Sequence, residues 1–285
     1  MIASMTGFGR AEQTLDSRKV SVEIRCLNSK NIDLNARINS FFRELEPELR
    51  KTVGQQLVRG KIDLSIYMEL AEGQSPTTIN AAVVRSYMEQ LQALEPLSPA
   101  DALQMAVRMP DALKTEKESI DKTTAQAVHA LVQKALADVQ NHREEEGKSL
   151  AKDLGAQIKY IREQLQIVEE LAPQRMEHIR ERIEGNLADL QVETDQNRLE
   201  QELIFYTEKL DINEEIVRLG NHLNYFEEVM QTPESSGKKL GFIAQEIGRE
   251  INTIGSKAQY APMQKIVVLK KDALEKIKEQ LLNVL

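Results

Sequence analysis

The sequence predicts an α+β chain: a small N-terminal β-rich α/β sandwich domain, then a long helical arm, then a C-terminal helical domain. Three patterns predict it. Apolar and polar residues alternate over Val20–Ile24, Ile32–Ile38 and Ile62–Met68, the period of half-buried strands. Along Leu150, Leu154, Ile158, Ile161, Leu165, Val168 and Leu171 the apolar spacing is three to four, the period of one helix face. Leu240, Ile243, Ile247, Ile251 and Ile254 repeat that spacing near the end of the chain. The domain limits that follow are 1–72, 73–193 and 194–285.

Each element has its own signal. In Ser4-Met5-Thr6-Gly7-Phe8-Gly9 the glycines mark a bulge in a first strand, and the segment lacks the Walker order of a nucleotide loop. Asn28-Ser29-Lys30-Asn31 is turn chemistry between strands. Phe41 to Leu57 reads as a helix with Phe42, Leu45, Leu49 and Val53 on one face, and Arg59-Gly60-Lys61 turns it into the next strand. The order is β-β-β-α-β, helices packed on a sheet. Glu72–Pro76 is a break. Helices follow at Ala81–Leu94, Pro99–Met105 and Thr124–Leu171; Pro173 caps or breaks the last, and Ala172–Leu190 continues the pattern. This arm is either a helical hairpin or a surface for oligomerisation or clamping, since a single apolar stripe needs a cover. From Thr194 the chain is helical again. Asp211-Ile212-Asn213-Glu214 resembles a capping box opening a helix with Ile216, Leu219, Leu223 and Phe226 inward. Pro233–Gly237 is a loop, and a last helix spans about Pro262 to Val284.

Composition narrows the function. Of 285 residues 41% are hydrophobic, so a core forms. There is no Trp and aromatics are 4%, which argues against base stacking as the main mode of any nucleic-acid binding. A single cysteine, Cys26, excludes an internal disulfide and fits a reducing compartment. No apolar run of about 18 residues exists and the start lacks a signal-peptide plan, so the expectation is a cytoplasmic protein with no membrane span. The net charge of −8 is uneven: residues 1–72 carry 11 Lys+Arg against 10 Asp+Glu, residues 235–285 carry 9 against 5, and the middle carries 17 against 30. A polyanion would meet the two ends and avoid the middle.

The chemistry-bearing residues cluster late. Glu215, Arg218 and His222 stack on one side of the helix after Asp211. Gln245, Glu246, Arg249, Glu250 and Thr253 form a polar strip on the Leu240 helix, bracketed by Lys238, Lys239 and Lys257. If the two helices are neighbours, Glu215 and His222 approach Glu246 and Glu250. Carboxylates with one imidazole suit Mg²⁺ or Mn²⁺ held partly by water and phosphate. His222 could instead be a metal-free general base, or a histidine bonded in a helix interface. The Glu246/Glu250 pair is equally readable as a surface ion network. Arg59 and Lys61 around Gly60 suit a phosphate contact or a plain helix C-terminus. No Cys/His set has zinc spacing, and no G-x-S-x-G occurs.

Taken in order, these residues resemble the bacterial YicC/YloC-type endoribonuclease family over nearly the whole chain. The N-terminal motifs are Ser4–Gly9, Glu23-Ile24-Arg25 with Asn28, and Arg59-Gly60-Lys61. The central ones are Arg143, Glu146-Gly147, Leu150 and Asp153-Leu154. The C-terminal ones run from Glu208 through Asp211, Glu214-Glu215, Arg218, His222 and Phe226 to Gly237-Lys238-Lys239-Leu240, Phe242, Gln245-Glu246, Arg249-Glu250 and Asn252–Lys257. Ser29-Lys30 departs from the His or Gln followed by Arg of many relatives, and Gly241 and Gly248 replace an acidic residue and an Asn. The resemblance implies cleavage of RNA phosphodiesters with a divalent metal in RNA turnover, a homohexamer that closes on RNA, and contact with other RNA-degradation enzymes. It favours His222, Glu246 and Glu250 as catalytic, with Glu215 joining them as metal ligands. Arg59, Lys61, Arg218, Lys239, Arg249 and Lys257 would hold phosphates. The alternative is a non-catalytic RNA-binding adaptor or stress-related scaffold that recruits another nuclease; a purely structural helical assembly is a third reading.

Overall fold

The N-terminal alternation builds four strands, β1 (Gly7–Leu15), β2 (Arg18–Leu27), β3 (Ile32–Ile38) and β4 (Gly60–Leu70), in the order β1-β2-β4-β3. The computed structural model describes residues 2–15, 18–70, 77–115, 120–189, 196–232 and 237–285. β3 and β4 are parallel, with Ile32 opposite Gly60 and Ile38 opposite Ile66. Parallel neighbours need a crossover, which a 3₁₀ turn (Ser40–Leu45) and α1 (Glu46–Gln56) supply. Val20, Val22, Ile24 and Cys26 of β2 and Ile62, Leu64 and Ile66 of β4 all face one side and are buried with Phe42, Leu49, Val53 and Leu57. The α+β class is therefore the one the sequence predicts.

Two compact units result. One comprises Phe8–Cys26 and Asn31–Val139, the other Met1–Gly7, Leu27–Lys30 and Gln140–Leu285. In the first, α4 (Lys122–Asp189) begins by laying Val128, Val132, Leu136 and Val139 into the sheet's core. Gly9 is where the helix comes closest: a Cβ there would stand 2.0 Å from the Ala135 carbonyl oxygen. β1 runs unbroken from Gly7, so what Gly9 answers is a close helix approach rather than the bulge expected from its spacing. The same unit holds α2 (Ala81–Leu94) and α3 (Pro99–Ala106), capped by Asn80 and Ser98, and a short antiparallel pair, β5 (Thr77–Ile79) with β6 (Leu113–Thr115). Three-residue strands are too short for periodicity to signal, and the sequence reading has neither.

In the second unit α5 (Gln196–Lys209), α6 (Asn213–Gln231), α7 (Gly237–Ala258) and α8 (Ala261–Leu281) join the later part of α4. The stripe from Leu150 to Val168 packs with Leu219, Leu223 and Phe226 of α6, Ile243 to Ile254 of α7 and Ile266 to Leu281 of α8 in one core. Pro173 neither caps nor breaks α4. It deletes one backbone hydrogen bond, and buried Val168 before it and Arg175 and Ile179 after it hold the helix through the gap. The capping box at Asp211 also differs: the N-cap is Ile212, Asp211 Oδ1 accepts from Asn213 N at 3.2 Å, and Glu214 pairs forward with Arg218. The expected break at Glu72–Pro76, residues 233–236 of the expected Pro233–Gly237 loop and the limit near 193/194 lie outside the described residues, and Gly237 opens α7 instead of closing the loop.

This unit is closed by the chain's first residues. Ser4 N donates to Arg143 O (3.0 Å), Met5 N to Asn283 O (2.8 Å) and Leu285 N to Ala3 O (2.9 Å). Thr6 Oγ1 donates to Glu146 Oε2 at 2.6 Å, and the buried Arg143 donates to Met5 O at 3.2 Å. A Cβ on Gly147 would stand 2.2 Å from Ile2 O, so this seat requires glycine. The Ser4–Gly9 and Arg143–Gly147 motifs, far apart in sequence, thus meet in part through Ser4 and Thr6.

Candidate functional site

α6 and α7 form an antiparallel pair, because Lys257 near the end of α7 reaches Glu215 near the start of α6. Lys257 Nζ donates to Glu215 Oε1 at 2.7 Å and to Asp211 O at 2.9 Å. Glu215 is 5% exposed, and its Oε2 is buried with no hydrogen-bond partner. With an axial rise of about 1.5 Å per residue, this register sets His222 level with the Glu246–Glu250 turn of α7. His222 is half-buried, and Glu250 is 8% exposed on the edge of the apolar stripe. One edge of the helix pair therefore carries the residues the sequence singled out.

They do not form one cluster. Glu215, level with Lys257, lies roughly 10 Å along the pair from Glu250 and roughly 16 Å from Glu246 by the same rise. Glu246 is paired with Arg249, Oε1 to Nη1 at 2.8 Å, on the exposed side of α7. Arg218 pairs with Glu214, and Lys239 Nζ sits 5.5 Å from the centre of the Tyr225 ring. Among the described residues no group of three or more His, Cys, Asp or Glu is placed to hold a metal ion. One or two carboxylates with water and substrate phosphate suffice for Mg²⁺, and Glu250, the vacant oxygen of Glu215 and His222 are the donors not already spent on a cation. Arg59 and Lys61 belong to the other unit. There α1 is capped at Leu57, and Gly60, with φ of 124°, opens β4. Gly60 is thus not the helix stop that one reading of Arg59-Gly60-Lys61 made it.

Two buried cations escaped the sequence reading. Arg175, 2% exposed, donates to Leu210 O at 2.7 Å and Lys257 O at 3.5 Å, joining the C-terminal ends of α5 and α7. Burial lowers its pKa, with the charge of Asp211 opposing. Lys270 of α8 is fully buried with no hydrogen-bond partner for Nζ, and burial lowers its pKa to about 8 against the pull of Glu169. A signal for both was available: each stands on an apolar helix stripe, Lys270 between Ile266 and Leu274 and Arg175 between Val168 and Ile179. A charge at a core position is costly to keep, which marks it for inspection.

Comparison with known proteins places these elements. Residues 2–152 match the model of the YicC-like endoribonuclease N-terminal region, and residues 168–285 match that of the YicC-like endoribonuclease C-terminal region. The chain belongs to the YicC-like endoribonuclease family. It is 31% identical over 293 residues to the probable endoribonuclease YicC of Clostridioides difficile (strain 630), covering 100% of both chains. It is 28% identical over 286 residues to the probable endoribonuclease YicC of Haemophilus influenzae, covering 99% of each. The C-terminal family region contains the whole α6–α7 seam and both overlooked cations, while Arg59, Lys61 and the Ser4–Gly9 segment fall in the N-terminal region. No helix among the described residues is long and apolar enough to cross a membrane.

Proposed function

We propose that the chain is an endoribonuclease whose cleavage centre is the α6–α7 seam. The observation that carries this is the antiparallel register fixed by Glu215 and Lys257, which levels His222 with Glu246 and Glu250. His222 moves the proton of the attacking oxygen. Arg249 and Lys239 hold phosphates at the exposed edge and offset the charge that develops on them, and Lys257 holds a phosphate farther along the seam. Arg218 contributes a further phosphate contact on α6, and Arg59 and Lys61 hold phosphate on the sheet unit by themselves. Glu250 and His222, with Glu246 one turn along α7, would hold Mg²⁺ or Mn²⁺ together with water and RNA phosphate, and bound there the ion would neutralise charge on the phosphate; Glu215, held by Lys257 and roughly 10 Å along the pair from Glu250, is too far to join them. The same proposal extends to a role in RNA turnover in the cytoplasm, assembly as a homohexamer and contact with other RNA-degrading enzymes.

The test is cleavage of a labelled RNA by His222→Ala, Glu250→Gln and Glu246→Gln, with and without EDTA. The expected result is loss of about 10²-fold or more in His222→Ala with RNA binding retained. Full activity in all three variants overturns the site. A second reading, the non-catalytic RNA adaptor, draws on one observation: Glu215 and Glu246 are already ion-paired to Lys257 and Arg249. Tight RNA binding by pure protein that cuts nothing with any metal selects it.

A further inference from the structure

One rim of the sheet carries a pattern that phosphodiester chemistry does not use. The strand order β1-β2-β4-β3 leaves β3 at the edge. Its 7 residues run in unbroken parallel register with β4, with no proline and no bulge to blunt them. Gly60 N donates to Asn31 O at 3.3 Å and Asn39 N to Ile66 O at 3.1 Å. In a parallel ladder this phase turns the backbone groups of Asp33, Asn35 and Arg37 toward β4. Those of Ile32, Leu34, Ala36 and Ile38 point out over the rim. Arg50 Nη1 donates to Leu34 O at 2.8 Å, which takes one of that carbonyl's two lone pairs.

About Asn35 this strand is its own complement. Asp33 stands two places before it and Arg37 two places after. In an antiparallel pair of two such rims centred on Asn35, Ile32 faces Ile38 of a second copy, Asp33 faces Arg37, Leu34 faces Ala36 and Asn35 faces itself. The outward backbone groups of residues 32, 34, 36 and 38 then meet as the hydrogen-bonded pairs. Asp33 and Arg37 fall at the other positions, where side chains stand closest and opposite charges stabilise the pair. Sliding the register by two residues sets both charges against asparagines (Asn31, Asn35 or Asn39), so one register alone matches them. Asp33, Asn35 and Arg37 are exposed, and among the described residues neither Asp33 nor Arg37 has a hydrogen-bond or ion-pair partner. Ile32 is 44% exposed, and the pairing covers it with Ile38 of the second copy.

We infer that β3 is a two-fold contact with a second copy of this chain, in which two sheets join rim to rim. Such a contact is isologous, the same patch serving both partners. It is present in a dimer and in any larger assembly with two-fold axes, and absent from a head-to-tail ring. It does not rest on the cleavage centre proposed for the α6–α7 seam.

The experiment measures the mass of the full-length chain by light scattering over a concentration series. The wild-type chain holds an even number of copies. Asp33→Arg sets arginine against arginine, and Arg37→Asp sets aspartate against aspartate; each lowers the mass to about half or less, because like charges directly opposite destabilise the pair. The double variant, Asp33→Arg with Arg37→Asp, restores the wild-type mass. Asn35→Cys supplies a second readout. Only residue 35 faces itself, at a Cα separation of about 4.5 Å that a disulfide spans, so mild oxidation links two copies. Asp33→Cys alone does not link, whereas Asp33→Cys mixed with Arg37→Cys does. The native Cys26 is buried and gives no background. A monomeric wild-type chain overturns the inference. So does an unchanged mass in Asp33→Arg, a double variant that stays small, or an assembled Asn35→Cys chain that does not link. RNA cleavage enters none of these readouts, so their failure leaves the α6–α7 proposal as it stands, and full activity in the seam variants leaves this contact as it stands.

Discussion

The unit built on the sheet buries Val22, Ile24, Phe42, Leu64 and Val132 and, among the described residues, no charged side chain. The helical unit buries Arg143, Arg175, Glu215, Glu250 and Lys270. Both cores contain enough apolar surface to fold, so stability does not require the charges, each of which is expensive to desolvate. Such exceptions to local consistency are expected where a fold serves chemistry. The contrast sets the helical unit apart from the sheet unit independently of any motif.

The contrast can be tested by perturbing both units in parallel, beginning with the strongest change. Phe226→Ala in the helical core is expected to cost about 3–5 kcal/mol and Leu64→Ala in the sheet core about 2–5 kcal/mol. Urea unfolding measures the loss, and amide hydrogen exchange should show it confined to the unit that carries the substitution. A loss spread over both units would end their separate treatment.

Lys270→Met should act in the opposite direction. Burial takes the lysine from 10.5 to about 8, so its charge costs about 3 kcal/mol below pH 8 at 1.36 kcal/mol per unit. Between pH 8 and 10.5 the unfolded chain binds a proton that the folded chain has lost, so stability rises with pH across that window. The methionine variant should gain about 3 kcal/mol at pH 7 and lose the rise, as read by denaturation at pH 7, 8, 9 and 10. No gain would mean that Lys270 finds compensation in the fold.

Gly9→Ala and Gly147→Ala probe the two close approaches, one in each unit. Each forces a Cβ onto a carbonyl oxygen and should cost about 1–3 kcal/mol. The helical unit alone should loosen in Gly147→Ala, seen as faster exchange at residues 2–6. The smallest effect is Arg249→Gln. Its ion pair with Glu246 is exposed, so stability should change by less than about 1 kcal/mol while RNA binding weakens. A large stability loss would move Arg249 from the site to the scaffold.

Much of this was legible in the sequence because apolar period follows directly from burial. The strands around Val22, Leu34 and Leu64 and the stripes of α4 and α7 stand where their spacing puts them. The α6–α7 pairing was open to inference, but its register was not: only the Glu215–Lys257 contact separates Glu215 from Glu246. Pro173 and Gly9 misled for one reason. Their local preferences were overruled by packing: the α4 stripe around Pro173 is buried against α6, α7 and α8, and Gly9 meets the Ala135 carbonyl. Arg175 and Lys270 were hidden by the habit of reading a charge as surface.

The pairing of residues 3–5 with 283–285 has a consequence for biosynthesis. Residues 3–5 are synthesised long before residues 283–285 and cannot take their seat until these have emerged from the ribosome. Until then Ile2 and Met5, both buried in the finished protein, are exposed to chaperones and proteases. A chain stalled or cut before residue 283 therefore displays residues 2–5 as the mark of an unfinished helical unit.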